Sequence, residues 1–425
     1  MPFLGKNPGT ATVTVTDGSI TTAKLADDAI TSAKIADDAV VAAAIADDAV
    51  VAAAIADDAV VTAAIADNAV TSAKTVGVTG ANPNIFMNGD MSIAQRGTSS
   101  TVKGVKTVDR WDAAWGDSGG VTQSQVALTS GGAYDEGHRH AFKMAVTSTN
   151  SGNDRYGLFR QKIEARTIRN SGWQYGSSSS YITMSFWAKS SLAGTYFVTS
   201  YAPDSGTAQF YATPFTLSAG TWTKITKTIP GNSNIGINDD TGEGLRLNIY
   251  LDLGTNYTAS DATIGSWGNY TSAKETTDFA QSWLNTGSAT FEITGCKLEI
   301  GQTATTFEKP DYTSEFARCQ RHYWTIRGDE GQDYSNNYGF LVQWSSARTS
   351  GWSPSVNLFH PVEMRAIPTV TQVGTWSVNN GGTMSFSGYR SKMHSTLMLT
   401  STTASNPTYQ HFNSTDDAIT FDAEL

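Results

Sequence analysis

The sequence predicts a mainly β protein in three parts: a repeat shaft with its linker at 18–82, a jelly-roll β-sandwich at 83–312, and a β-rich C-terminal tip domain at 313–425. Three observations lead to this fold class. A ten-residue repeat fills the first part, and apolar residues alternate with polar ones in the second. The composition is rich in glycine, with 39 Gly, and poor in charge, with 16% charged residues. Helical bundles need many more charged residues for their exposed faces, so the composition favours turn-rich β architecture.

The repeat begins at Ile20 and reads ITTAKLADDA, ITSAKIADDA, VVAAAIADDA, VVAAAIADDA and VVTAAIADNA, with an aliphatic residue at every fifth position. On an α-helix a step of five residues turns by about 140°, so these side chains would spiral around the axis. In a strand an odd step alternates faces. Since neither regular element buries this pattern, we expect a short extended or turn-of-helix unit followed by a bend at each Asp-Asp-Ala.

The aliphatic positions of the repeat need partners from other chains. A segment of roughly 60 Ala, Thr, Val and Asp residues cannot form a core by itself. A homotrimeric shaft solves this problem. Disorder is the alternative interpretation, because the segment has low complexity, but its regular aliphatic spacing favours the shaft. The predicted shaft core consists of Leu25, Ile35, Ile45, Ile55 and Ile65.

The middle part has the pattern of half-buried antiparallel strands. Apolar residues occupy every second position in 181–190 and again in 245–253. In 290–300 the apolar phase shifts by one residue, which predicts a β-bulge at Thr294–Gly295. Several such strands, separated by turn clusters and without a long amphipathic helix, predict a β-sandwich or jelly roll.

The last part begins with a short helix and continues with strands. Helical spacing of Phe316, Cys319 and Tyr323 predicts a helix within 313–324. The strand candidates that follow are GFLVQW, SVNLF, PTVTQVGTWSV and TLMLT.

Charge and cysteine content exclude several classes of protein. The net charge of −10 argues against nucleic-acid binding. Ten Asp and three Lys between Asp17 and Lys74 give −7 of this, so the rest of the chain carries only −3. The start is not that of a signal peptide, and no apolar run is long enough to insert into a membrane. Cys296 and Cys319 are too few for a disulfide framework or a zinc site; two reduced thiols are favoured over a single pair.

Several stretches are recognisable in combination. They are MPFLGKNPGT, TTAKLADDAITSAKIADDAV, NPNIFMNGDMSIAQRGTS followed by VDRWDAAW, CKLEIGQTATTFEKPDYTSEFARCQRHYW, and VEMRAIPTVT. Together they resemble tail fibres and receptor-binding proteins of bacteriophages of the marine and cyanobacterial podovirus type, with a carbohydrate-binding-module-like jelly roll. One departure is Asp-Asp in the shaft repeats, where such fibres frequently have Asp-Gly.

This resemblance implies a homotrimeric, non-enzymatic component of the phage tail. Residues 1–17 would attach it to tail or adaptor proteins of the virion. The C-terminal domains would bind host surface polysaccharide or lipopolysaccharide, with no nucleic acid or membrane insertion involved. A tailspike depolymerase and a connector fibre that only docks another adhesin are the alternatives.

The predicted glycan-binding face combines an aromatic ring with hydrogen-bonding side chains. If strands 181–190 and 245–253 are neighbours, their polar faces share Trp187, Arg246, Asn248, Tyr250 and Asp252. The alternative is that these are ordinary solvent-side residues of an antiparallel sheet. Aromatic residues in loops could serve the same purpose, although packing at the ends of the sandwich is the simpler interpretation; these are Trp173, Tyr175, Trp267, Tyr270 and Trp283.

A second candidate surface lies in the C-terminal domain, where tyrosine and tryptophan stand among Asn, Ser and Gly. This composition is typical of adaptable recognition surfaces. Packing in a trimer core is the alternative. The candidate ligand-binding residues here are Trp344, Trp352 and Tyr389, with Tyr334, Tyr338 and Tyr409 nearby in sequence.

Metal binding and catalysis have weaker signals. The jelly-roll resemblance implies a structural Ca²⁺ near Asp90 and Glu299, and no other cofactor. Asp239, Asp240 and Glu243 crowd one turn. Glycoside hydrolysis needs two carboxylates about 5–10 Å apart across a cleft, which residues of a single turn do not provide. We therefore expect a turn rather than a catalytic pair.

Overall fold

The computed structural model describes residues 15–27, 29–31, 34–35, 83–116, 118–327, 341–344, 355–374, 376–379, 384–399, 408–412 and 417–425. Side chains are described throughout these ranges except at 22, 341–344, 376–379, 384–389, 399 and 408–412. The chain divides into two compact units, Met1–Gly77 and Val78–Leu425.

The described residues of the first unit contain a backbone turn at every fifth position from Ser19 to Lys34. The N–H groups of Ser19, Lys24, Ala29 and Lys34 each donate to the carbonyl oxygen three residues earlier, at 2.9–3.0 Å. One of these turns is the 3₁₀ segment Thr22–Lys24. The ammonium groups of Lys24 and Lys34 each donate to the carbonyl five residues earlier, both at 2.6 Å. The ten-residue sequence repeat is therefore a structural repeat in these residues, with a turn in each half of the unit.

The aliphatic residues of the repeat are solvent-exposed in the single chain. Ile20 is 56% exposed, Leu25 42%, Ile30 55% and Ile35 44%. No apolar cluster forms among the described residues of this unit. Predicted core positions Ile45, Ile55 and Ile65 lie outside the described residues.

The second unit is built mainly from strands, as predicted. The strands of its sandwich are β1 (Ser99–Ser100), β2 (Asp112–Trp115), β3 (Gly120–Ala127), β4 (His140–Ser148), β5 (Tyr156–Glu164), β6 (Tyr181–Ser190), β7 (Gly194–Ala202), β8 (Gln209–Leu217), β9 (Thr223–Pro230), β10 (Glu243–Leu253), β11 (Gly268–Asn269) and β12 (Thr290–Ile300). Two short helices are α1 (Gly132–Asp135) and α2 (Ala165–Arg169).

These strands form two six-stranded antiparallel sheets. The first has the order β1-β3-β4-β12-β6-β9 and the second β11-β8-β7-β10-β5-β2. One large core lies between them, and its fully buried rings include Phe142, Phe159, Phe186, Tyr196 and Phe291. The arrangement is a β-sandwich and is consistent with a jelly roll. Every second residue of β6 lies in the core, as the sequence predicts; these are Ile182, Met184, Phe186 and Ala188.

Two β-bulges change which residues face the core. β12 changes register against β6 between Thr294 and Lys297, and Gly295 there has φ +60°. This confirms the bulge predicted at Thr294–Gly295. A second bulge, in β10 between Tyr250 and Asp252, was not predicted.

The C-terminal part begins with α3 (Tyr312–Gln320), where the Asp311 carboxylate accepts from the Ser314 N–H at 3.0 Å and caps the helix. Its strands are β13 (Tyr323–Arg327), β14 (Leu341–Trp344), β15 (Ser355–Phe359), β16 (Thr369–Val373), β17 (Trp376–Asn379), β18 (Met384–Arg390), β19 (His394–Leu399), β20 (Thr408–Phe412) and β21 (Ala418–Asp422). They form three-stranded sheets in the orders β13-β21-β16, β14-β20-β17 and β15-β19-β18. The predicted helix is confirmed as far as Gln320, but Tyr323 lies in the strand β13. All four strand candidates contain strands, and PTVTQVGTWSV contains two, β16 and β17, which belong to different sheets.

Buried charges join the C-terminal strands to the sandwich. The Glu424 carboxylate contacts Arg110 and lies 3.4 Å from an Nη of Arg96. Glu164 of β5 pairs with Arg321 at 2.8 Å, and the neutral ring of His322 lies 3.3 Å from the same carboxylate. Both cysteines are buried and free, which confirms the favoured interpretation. Among the described residues, no helix is long and apolar enough to cross a membrane.

Candidate functional site

The outer face of the second sheet carries two residues of the predicted glycan-binding set, Arg246 and Asn248. Alternate residues of β10 point into the core, and Leu245, Leu247 and Ile249 are buried there. The intervening Arg246 and Asn248 therefore lie on the opposite face of the sheet.

The strand register sets an aromatic ring beside Arg246. Arg246 is paired with Tyr201 of β7 on one side and Lys162 of β5 on the other. The guanidinium carbon lies 4.9 Å from the centre of the Tyr201 ring, within cation–π range. Tyr270, from the connection between β10 and β12, is 36% exposed and stands edge-on to Tyr201, with ring centres 5.0 Å apart. We call Tyr201, Arg246, Asn248 and Tyr270 the Arg246 surface.

A buried carboxylate fixes the position of Tyr270. The hydroxyls of Tyr270 and Tyr250 donate to the two oxygens of Glu275, at 3.0 and 2.5 Å. Burial raises the pKa of Glu275, although the two hydroxyls and the nearby Arg246 oppose this rise. Burial, followed by the charge of Glu275, raises the pKa of Tyr270, so both phenols remain donors near neutral pH.

Charged groups on this face are paired. Arg246 donates to both oxygens of Glu243, at 2.7 and 2.9 Å. The nearby Lys162 donates to a terminal oxygen of Leu425 at 2.9 Å. Burial lowers the pKa of Lys162, and the nearby carboxylate of Glu243 opposes this shift. Arg160 forms an ion pair with Asp112 of β2, with 2.6 Å between Nε and a carboxylate oxygen.

Two polar atoms next to the surface lack partners among the described residues. Asn248 is only 3% exposed and donates from its amide to the Thr199 hydroxyl at 2.9 Å, while its Oδ1 accepts no hydrogen bond. One carboxylate oxygen of Asp112 is also unpaired. An unpaired buried acceptor costs about 1–3 kcal/mol, so both atoms would gain from a donor.

Trp187 does not belong to this face, and the shared face predicted from the sequence does not form. Trp187 lies on β6 in the first sheet, whereas Arg246 lies on β10 in the second. Its indole N–H donates to Glu136 at 3.1 Å, and Lys224 lies 5.9 Å from its ring centre. The prediction was wrong about placement because similar alternation in two strands does not determine whether they pair.

Tyr250 and Asp252 are buried rather than solvent-facing. Tyr250 packs under the β10–β12 connection with Leu253, because the bulge after Tyr250 moves Leu253 to the outer face. Asp252 accepts from Arg155 at 3.1 Å and from the Leu284 N–H at 2.8 Å. These contacts hold the connection in place and leave neither polar group accessible to a ligand.

The two carboxylates predicted to hold calcium each have an ammonium group beside them. Asp90 contacts His138 at 2.5 Å and Lys309 at 3.1 Å. Glu299 lies 3.2 Å from the ammonium of Lys297. No group of three or more metal-ligating side chains occurs in the part of the chain that the structure describes. These contacts do not fit a calcium ion at either carboxylate, so the site stays a prediction without support from the donor set.

The candidate ligand-binding residues of the C-terminal domain lie outside the described side chains. The side chains of Trp344 and Tyr389, and the whole of Trp352, lie outside the described residues. Of the loop aromatics, Trp173 and Trp283 are buried in the sandwich core. This agrees with end packing.

The acidic turn after Asn238 has structural partners. Asp239 pairs with Arg166 at 3.2 Å, Asp240 accepts from the Gly242 N–H at 2.8 Å, and Glu243 holds Arg246. The sequence also contains GDSGG at 116–120, which matches the nucleophile motif G-x-S-x-G. That motif acts at a strand-to-helix turn, whereas this segment joins β2 to β3.

Tyr201 and Lys162 belong to this face but were not predicted from the sequence. Tyr201 stands in GTYFVTSYA, where period-two alternation was available as a signal for a half-buried strand. Its position beside Arg246 depends on strand register, which single-strand patterns do not give.

Comparisons with known proteins show weak structural likeness. The enzymatically active domain of tailspike protein 4 of bacteriophage CBA120 is 12% identical, with 51% of this chain and 21% of that chain covered and a TM-score of 0.30. The tripod from the baseplate of bacteriophage Tuc2009 is 12% identical, with 65% and 82% covered and a TM-score of 0.24. The N-terminal cellulose-binding domain of β-1,4-glucanase C from Cellulomonas fimi is 11% identical, with 50% and 99% covered and a TM-score of 0.24.

Structural neighbours thus include phage tail and baseplate proteins and carbohydrate-binding modules. The match spans about a fifth of the tailspike chain. At these TM-scores the likeness carries no information about ligand or assembly. No protein-family model and no curated protein matches the sequence.

Proposed function

We propose that this chain is a structural protein of a bacteriophage virion, a homotrimeric tail fibre that binds host surface glycan. The single observation that carries the glycan part is the Arg246 surface. It brings two tyrosine rings and a guanidinium to one face of the sheet. The virion part of the proposal is supported by the sequence resemblance to phage tail fibres.

The chemistry of the Arg246 surface suits a saccharide. Sugar rings have apolar C–H faces that pack on aromatic rings, and hydroxyls that need directed donors and acceptors. Tyr201 and Tyr270 supply the rings, and Arg246 supplies a donor. The cations here are matched by carboxylates, so an uncharged or weakly charged glycan fits better than a polyanion.

Two substitutions test this surface. Arg246→Met keeps an apolar stem over Tyr201 and removes the guanidinium, and Tyr270→Ala removes the exposed ring. Each is expected to weaken binding to host polysaccharide about tenfold or more, measured by calorimetry, which corresponds to roughly 1.4 kcal/mol. Arg139→Met is the matched control, because Arg139 also covers a tyrosine, 4.1 Å from the ring centre of Tyr134. Unchanged affinity in Arg246→Met and Tyr270→Ala would remove the glycan site from this surface.

The homotrimer is supported by the exposure of the shaft aliphatics. A side chain such as Ile20 or Ile30, more than half exposed in one chain, gains about 25 cal/mol for each Å² that a neighbouring copy covers. Trimerisation would also multiply weak glycan affinities through effective concentration. Sedimentation equilibrium of the full chain should give a trimer. Loss of the trimer on deletion of 1–80 would assign assembly to the repeat, whereas a monomeric full chain would contradict the proposal.

Attachment to phage tail or adaptor proteins is assigned to residues 1–17, of which 1–14 lie outside the described residues. Two rival functions predict different outcomes when the chain is incubated with host polysaccharide and with susceptible cells. A tailspike depolymerase would shorten host polysaccharide on incubation, and a connector fibre would leave susceptible cells unbound. The tail-fibre proposal requires binding to cells without shortening of the polysaccharide.

A further inference from the structure

A groove opens at the edge of the sandwich, away from the Arg246 surface residues. Its volume is about 570 Å³, within the range of small-molecule sites. It lies where β8 of the second sheet and β9, the edge strand of the first sheet, meet. Its lining combines three apolar residues with four threonines and two lysines, which are Thr195, Thr216, Thr223, Thr226, Lys224 and Lys227.

Lys227 points toward the interior side of its sheet. Residues of β9 alternate, and Ile225 and Ile229 are buried in the core between the two sheets. Lys227 lies between them and shares their face, paired across the sheet with Met184, which is itself fully buried. Burial lowers the pKa of Lys227, and no neighbouring charge contributes to this shift.

The two lysines of the groove differ in their partners. Lys224, on the opposite face of β9, pairs with both oxygens of Glu136, at 3.0 and 2.8 Å. Lys227 forms no ion pair or hydrogen bond with any residue in the described ranges. A half-buried ammonium without a counter-ion is unfavourable and would be stabilised by an anion brought into the groove.

The remaining lining supplies hydrogen-bonding groups and a small apolar floor. None of the four threonine hydroxyls is engaged in a hydrogen bond with the part of the chain that the structure describes. Phe215 and Pro214 provide apolar contact. One free cation, several free hydroxyls and an apolar floor match a hydroxyl-rich molecule that carries a single negative charge.

We infer that this groove is a second binding site, which takes an acidic sugar through an ion pair between Lys227 and the sugar carboxylate. The threonine hydroxyls bind the sugar hydroxyls. The site is independent of the Arg246 surface, since none of its lining residues belongs to that surface. The competing explanation is that Lys227 only protects the edge strand against pairing with another chain.

The test uses D-glucuronate and its neutral amide, D-glucuronamide, as probes on the full chain. Ligand-observed NMR is expected to show binding of glucuronate at least fivefold tighter than that of glucuronamide. Lys227→Met, which keeps the unbranched stem of the side chain and removes the ammonium, should abolish this difference. Lys224→Met should preserve it. Equal binding of the two probes, no binding of either, or loss of the difference in both variants would overturn the proposal.

A second measurement needs no variant. Acetylation of the wild-type chain, followed residue by residue with mass spectrometry, should be slowed by glucuronate at Lys227 at least threefold more than at Lys224. Glucuronamide should protect neither lysine. Equal protection of both lysines by glucuronate would mean a general ionic effect, and would contradict the site. An edge-protecting lysine without a ligand predicts no protection at all, together with self-association of Lys227→Met in sedimentation.

Discussion

Glu424→Gln is expected to break the buried ionic contact that holds the C-terminal strands on the sandwich. The Glu424 carboxylate contacts Arg110, which is almost completely buried, and lies 3.4 Å from Arg96. Despite burial, which opposes ionisation, Arg110 and Arg96 lower the pKa of Glu424 to about 2 from its usual 4.5. A difference of this size corresponds to about 3 kcal/mol, which agrees with the roughly 3–5 kcal/mol lost when one member of a buried pair is removed.

The pH dependence gives this prediction a second signature. Because the folded chain holds Glu424 ionised more strongly than the unfolded chain does, its contribution is complete above pH 4.5. The contribution is lost as the pH falls from 4.5 to 2. Glu424→Gln should therefore lose about 3 kcal/mol of unfolding free energy at pH 7 and only a small amount at pH 2.

Urea unfolding followed by tryptophan fluorescence measures both quantities. Asp422→Asn is the matched control, since Asp422 is exposed and lies 3.3 Å from the same Arg96. Its loss is expected to stay below about 1 kcal/mol. A loss under 1 kcal/mol in Glu424→Gln at pH 7, or a loss that persists undiminished at pH 2, would refute the reasoning.

Three further substitutions test the fold. Gly295→Ala should destabilise the sandwich by about 1–3 kcal/mol, because Gly295 has φ +60° and a Cβ there would lie 2.6 Å from His138. Gly220→Ala is the control, because Gly220 has a similar φ but no atom lies within 4 Å of an added Cβ, and it should destabilise the protein less. Equal destabilisation by the two substitutions in thermal unfolding would contradict a clash with His138. Phe186→Ala should cost about 3–5 kcal/mol in urea, since the ring is fully buried, and a cost under 1 kcal/mol would place it outside the core. Burial lowers the pKa of His322 to about 4 in the folded chain. Because the unfolded chain protonates its histidine at a higher pH, the wild type loses unfolding free energy as the pH falls from 6.5 to 4. The free energy of unfolding of His322→Gln, measured with urea, should therefore rise relative to that of the wild type as the pH falls across that window. A difference in unfolding free energy that stays constant with pH would exclude a buried neutral histidine.

The period-two patterns predicted strands and their buried faces well, because burial on one face is a property of a single strand. In β6 every predicted inward residue is buried, and the phase shift near Gly295 located a real bulge. The five-residue spacing in the shaft likewise corresponds to real turns at Lys24 and Lys34.

Two features could not be predicted in this way: which sheet a strand joins, and whether a loop covers the outer face of a strand. Trp187 was assigned to the wrong sheet because pairing depends on contacts between strands far apart in sequence. Tyr250 alternates like a solvent-facing residue, yet the β10–β12 connection folds over it and supplies Glu275 as a partner. A loop that covers a sheet face leaves no periodic signal in the strand beneath it.

The central claim is that the chain binds host surface glycan, and one adsorption measurement tests it most directly. Labelled full chain is mixed with susceptible host cells that are untreated, oxidised with mild periodate, or digested with proteinase K. Periodate cleaves the vicinal diols of sugars and leaves most protein side chains intact. Binding that is lost after periodate and retained after protease is the predicted result, whereas binding that survives periodate and is lost after protease would contradict the claim.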